Sequence, residues 1–168
     1  MIDQNLFFIV FVSLSCFICS WLMLYKTRNL LRLKVLDKPN KRSSHNFPTP
    51  SGGGISFVLL GSLGNLLIGN LIPIFCLPLA FIGFVDDLKG IPAVLRYFFQ
   101  LMTVLSLILF SSFGELASIY LSGTAYLLIF FFVLILGTGI INFCNFIDGI
   151  DGLLITCMVS VFITFLII

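Results

Sequence analysis

From Ser51 to Val85 the chain runs without a single Asp, Glu, Lys or Arg. As one helix, 51–85 would be about 52 Å long, well beyond a hydrocarbon core of about 30 Å. Gly69-Asn70 near its middle is a turn signal. The stretch therefore reads as a hairpin of two short membrane spans, the second kinked or unwound at Pro73 and Pro78. Composition supports lipid as the solvent. Hydrophobic residues make up 60% of the sequence and charged residues 10%, with 20 Phe, against about 45–50% and about 25% in average soluble proteins. So few charges cannot cover a water-facing surface. A soluble globular domain, a disordered chain and a disulfide scaffold are all excluded. The five cysteines, Cys16, Cys19, Cys76, Cys144 and Cys157, are odd in number and lie in apolar segments, as small helix residues rather than bridges.

The same reasoning along the whole chain gives an all-α class, a polytopic transmembrane helix bundle of about six spans. The spans fall at 6–25, 53–69, 71–85, 93–113, 124–142 and 153–168, within a single membrane domain, 1–168. The polar connections are 26–51, with a short interfacial helix at 27–35, then 86–92 and 143–152. The first run, Leu6–Tyr25, has no basic residue before it and no small-residue cleavage site after it. It reads as a retained helix with the N-terminus outside.

Every basic residue except Lys89 and Arg96 falls between Lys26 and Arg42. Two expected spans separate this loop from Asp86-Asp87, and two more separate that pair from Asp148 and Asp151. All three polar clusters then share one face, which the positive-inside rule makes the cytoplasmic one. Glu115 lies on the opposite side.

Four carboxylates at one membrane face repel one another unless a cation neutralises them, and hard oxygen ligands suit Mg²⁺ or Mn²⁺. The plainer alternative is hydrated charges at span ends. Asn142, Asn145, Asp148 and Asp151 recur every three residues and would form a stripe of amide and carboxylate oxygens, with Gly149 and Gly152 allowing close backbone approach. Alternatively, the two Asn residues merely hydrogen-bond neighbouring helices. Lys41, Arg42, His45 and the run Gly52-Gly53-Gly54 suit a phosphate, or else form a topogenic cluster that attracts anionic lipid. Lys89 and Arg96 either retain their loop in the cytoplasm or pair a substrate phosphate. A cation carrier would place facing acids at mid-span, whereas these acids sit at span ends.

Three motifs occur in order. They are Asp37-x-Pro-Asn-x-Arg42-Ser-Ser-His45-x-x-Pro-Thr-Pro50-x-Gly-Gly-Gly, then Gly83-Phe-Val-Asp86-Asp87 followed by Arg96 and Gln100, then Asn142-x-x-Asn145-Phe-x-Asp148-Gly-x-Asp151-Gly-Leu153. Together they resemble the polyprenyl-phosphate N-acetylhexosamine-1-phosphate transferases of glycosyltransferase family 4. The first motif looks more like the bacterial polysaccharide and O-antigen (lipopolysaccharide) initiating branch. The resemblance implies transfer of N-acetylhexosamine 1-phosphate from a UDP-sugar, such as UDP-N-acetylglucosamine, to polyprenyl (undecaprenyl) phosphate. UMP is released, Mg²⁺ is required, and the setting is the inner (plasma) membrane. It implies Asp87 and Asp148 as metal carboxylates, and Asp86 as a base or as the residue that positions the lipid phosphate. Asn142, Asn145 and Asp151 would contact nucleotide or sugar, and Arg42 and His45 phosphate. The implied partners are UDP-N-acetylhexosamine, polyprenyl phosphate and the bilayer, without nucleic acid, and a homodimer or a missing C-terminal half as protein partner. The sequence departs from the family at Ser51, commonly Arg, and is shorter than the family chain. It is expected to be the N-terminal half, and a catalytically inactive binding module is the alternative to an active transferase.

Overall fold

A computed structural model describes residues 2–37, 47–147 and 153–167. Seven α-helices carry the described chain: α1 (Ile2–Lys34), α2 (Gly54–Leu67), α3 (Leu77–Lys89), α4 (Ala93–Phe110), α5 (Ser112–Tyr120), α6 (Gly123–Ile147) and α7 (Leu153–Ile167). A 3₁₀ helix, Ile72–Cys76, precedes α3, and two short strands, β1 (Leu36–Asp37) and β2 (Thr49–Pro50), pair antiparallel. This is the all-α bundle expected from the sequence.

Its interior is the reverse of a soluble core. Buried positions include Ser20, Ser56, Ser62, Gln100, Thr103 and Thr138, beside only a few aliphatics such as Val12, Val104 and Ile108. Large apolar residues cover the outside, among them Phe7 at 74% exposure and Ile135 at 70%. Small and polar residues inside with apolar ones outside suit helices whose solvent is lipid. Helices α1, α4 and α6 are long and apolar enough to cross a membrane. The chain is an integral membrane protein.

Glycines set the helix directions. A Cβ on Gly64 would run into Cys16 Sγ, and one on Gly53 would lie 2.9 Å from Leu24 Cδ2. Moving up α1 from Cys16 to Leu24 thus moves down α2, so the two helices are antiparallel. A Cβ on Gly137 of α6 would lie 2.7 Å from Val104 Cγ1 of α4. Between these helices α5 is only about 13 Å long, too short to bring the chain back along the roughly 27 Å of α4. Hence α4 and α6 are antiparallel too. At the far end, the Phe75 and Phe110 rings stack 4.7 Å apart and join the 3₁₀ helix to the end of α4.

Several expected boundaries are corrected. The first helix does not stop at Tyr25 but continues through Lys34, so residues 26–34 of the connection expected at 26–51 are helical, and the helix expected at 27–35 is continuous with the first span rather than separate. Lys and Arg are good helix formers, and Arg32 and Lys34 in the last turn suit the negative end of the dipole. Asp86–Lys89 belong to α3 and 143–147 to α6 rather than to loops. The span expected over 93–113 ends at Phe110, where Ser111 turns extended, and Glu115 sits in α5. Gly69, with φ +83°, makes the expected turn. Of the kink or unwound stretch expected at Pro73 and Pro78, the structure shows the second in part: residues 72–76 are 3₁₀ rather than α-helix, and neither proline lies in a helix interior. Each occupies a first-turn position, where its missing N–H leaves no bond unmade. The Ser62 hydroxyl donates to the Pro73 carbonyl at 2.9 Å and closes this hairpin.

Candidate active site

Helix α3 ends because Gly90 adopts φ +64°, backbone that a side chain disfavours. The turn folds around one residue. The Gly90 N–H donates to the Asp86 carbonyl at 2.7 Å. The Ile91 N–H donates to Asp86 Oδ1 at 2.8 Å, and Arg96 Nη1 donates to Asp86 Oδ2 at 2.8 Å. Both carboxylate oxygens are thereby engaged within the α3–α4 turn. Asp87, the next residue, lies about 100° round the helix and is exposed. The adjacent acids converge only through a backbone bend between them, and no such bend exists, since both lie within α3. They project apart. The expected alternatives for Arg96 did not include the bond it makes, to Asp86.

The loop that carries Arg42 and His45 is pinned at its mouth. Leu36 pairs with Pro50 and Asp37 with Thr49, and the Ser51 N–H donates to the Val35 carbonyl at 3.1 Å. Gly52, at φ +79°, is so close to α3 that a Cβ there would lie 2.9 Å from the Phe84 ring. Phe84 is two residues before Asp86, so the mouth of the loop meets the acid-bearing turn. Arg42 and His45 lie outside the described residues, as do Asp148 and Asp151.

Asn142 and Asn145 occupy the last turns of α6, and both are exposed. Asn142 Nδ2 donates to the Thr138 carbonyl of its own helix at 3.0 Å, which leaves its amide oxygen as the group to offer a ligand. The contact between Gly137 and Val104 fixes their level. Arg96 and Asn145 lie equally far beyond it along antiparallel helices, each about 12 Å away. The end of α6, the α3–α4 turn and the mouth of the basic loop therefore occupy one end of the bundle. Gln100, one turn from Arg96, is buried, and among the described residues its Oε1 has no hydrogen-bond partner.

Among the described residues no three His, Cys, Asp or Glu side chains come together as a metal site. The donors exposed at this end are the Asp87 carboxylate and the Asn142 and Asn145 amides, all hard oxygens. They fit Mg²⁺, which takes one or two protein carboxylates and fills the remaining positions with water and phosphate.

One end of this membrane bundle thus gathers, among the described residues, the Asp86–Asp87 pair, the Asn142 and Asn145 amides and the Gly52 segment that follows β2. Residues 56–168 match the model of glycosyl transferase family 4, and the chain belongs to that family. It is 33% identical over 154 residues to an undecaprenyl-phosphate alpha-N-acetylglucosaminyl 1-phosphate transferase of Yersinia pestis, covering 82% of this chain and 41% of that protein. It is 30% identical over 126 residues to the protein of the same name in Thermotoga maritima, covering 73% and 40%. Against a decaprenyl-phosphate N-acetylglucosaminephosphotransferase of Mycobacterium leprae it is 28% identical over 146 residues, covering 73% and 36%. The chain thus spans well under half the length of these curated relatives. No solved structure matches it significantly.

Proposed function

We propose that the protein formed by this chain transfers N-acetylhexosamine 1-phosphate from a UDP-sugar to polyprenyl phosphate, releases UMP, and so begins a cell-envelope polysaccharide such as an O-antigen. The observation that carries this reading is the meeting of three polar elements at one end of the bundle: the mouth of the basic loop, the Asp86–Arg96 turn and the end of α6. The names of the relatives, with polyprenyl phosphate on one side and N-acetylglucosamine on the other, support it. By the positive-inside rule that end faces the cytoplasm, from the plasma (inner) membrane of a bacterium.

In this reading an oxygen of the polyprenyl phosphate attacks the β-phosphorus of the UDP-sugar. The bond from that phosphorus to the bridging oxygen breaks, and UMP leaves with the electron pair. The acceptor needs little help in losing a proton, because a phosphate monoester has its second pKa near about 6 and is mostly dianionic at pH 7. Asp87, with Asp148, would hold Mg²⁺, which when bound neutralises diphosphate charge. Asp86 fixes the turn and, through it, the placing of Asp87. Asn142, Asn145 and Asp151 meet the nucleotide or sugar, and Arg42 and His45 a phosphate.

The test uses membranes containing the full chain, with undecaprenyl phosphate, Mg²⁺ and UDP-N-acetylglucosamine labelled in the sugar. UMP and a labelled lipid should appear together. EDTA should abolish both, and Mg²⁺ or Mn²⁺ should restore them. UDP-sugar binding without UMP release would contradict the reading and leave a binding module.

A further inference from the structure

Trp21, Tyr25 and Arg28 on α1 face Pro50, Ser51 and Gly53 across an open groove of about 350 Å³. The spacing i, i+4, i+7 puts the first three on one face of the helix. The Trp21 and Tyr25 rings stack with centroids 6.2 Å apart, and the Arg28 guanidinium carbon sits 4.6 Å from the Tyr25 ring centroid.

The height of the groove follows from the sequence. Tyr25 closes the apolar run and Lys26 opens the basic one. Trp21 and Tyr25 therefore stand where aromatic residues meet headgroups, and Arg28 stands one turn further out. The charge there has one sign. Lys26, Arg28, Arg32 and Lys34 follow one another on α1 with no acid among them. An aromatic wall topped by a guanidinium, in a basic setting at headgroup depth, is complementary to a phosphate attached to an acyl chain.

We propose that this groove seats an anionic phospholipid, its phosphate on Arg28 and its upper acyl chain along Trp21 and Leu24. The site is separate from the Asp86–Arg96 turn, and it stands whether or not the chain is a transferase. Its far wall is the Pro50–Gly53 segment, which also pins the basic loop to Phe84. A seated lipid would brace that segment.

Trp21 is the only tryptophan in the chain, so its fluorescence reports on the groove directly. The full chain is placed in phosphatidylcholine bilayers that contain a minor fraction of lipid brominated in the upper acyl chain. Brominated phosphatidylglycerol should quench Trp21 as if enriched about fivefold over brominated phosphatidylcholine at equal mole fraction, the preference expected from one interfacial cation. Arg28→Gln should remove the preference, whereas Lys34→Gln should keep most of it. Inorganic phosphate should not relieve the quenching. Three results would overturn the proposal: equal quenching by the two lipids, a preference that survives Arg28→Gln, or relief by a trace of unlabelled polyprenyl phosphate. The last would give the groove to a different lipid.

Discussion

If the proposed transfer reaction holds, Asp87→Asn should lower UMP release by about 10²–10³-fold, the scale of losing several kcal/mol of charge stabilisation at the reacting phosphates. The melting temperature in detergent falls far less than the activity, because Asp87 is exposed in the last turn of α3 and an exposed side-chain interaction contributes only about 0–1 kcal/mol. Raising Mg²⁺ should recover only a small part of the rate. The substitution removes charge and keeps shape, so the two readouts separate: activity collapses while the fold remains. A variant that turns over normally would remove Asp87 from the metal site.

Asp86→Asn behaves differently, although it is the adjacent residue. Its carboxylate joins Ile91 and Arg96 across the turn, at 23% side-chain exposure against 35% for Arg96. With solvent reaching both partners, the expected loss is about 1–2 kcal/mol rather than the larger cost of a dry ion pair. Arg96→Gln should lose a similar amount. The double variant Asp86→Asn/Arg96→Gln should lose less than the sum of the two, by about 0.5–1 kcal/mol, because a single interaction is then removed once. Transfer activity should follow this stability pattern, with the double variant losing less than the two single losses multiplied together. A double variant that is fully inactive yet well folded would make Asp86 a reacting group instead of a positioning one.

Parts of this architecture were legible in the sequence because local chemistry decides them. Gly69-Asn70 had to turn, since no single helix of that length fits a bilayer, and Gly69 takes a positive φ. The one-ended gathering of polar clusters followed from counting crossings, and the glycine contacts on α2 and α6 agree with it for the described residues. What the sequence hid depends on geometry between elements. Basic residues 26–34 looked like a loop because charge marks the membrane boundary, yet charge does not end a helix. Arg96 was noticed as a flanking cation, but its partner depends on how Gly90 bends the chain, which spacing alone does not show. The Trp21–Tyr25–Arg28 face went unread because its other wall is brought up by the strand pair.

The central claim is that Ser51, Lys89 and Asn145 belong to one end of the bundle and Ser118 to the other. Single cysteines at these positions in a cysteine-free background, labelled in sealed vesicles with a membrane-impermeant maleimide, test it most directly. Positions 51, 89 and 145 should label together from one side, and 118 only from the other. Labelling of position 145 from the side of 118 would contradict it.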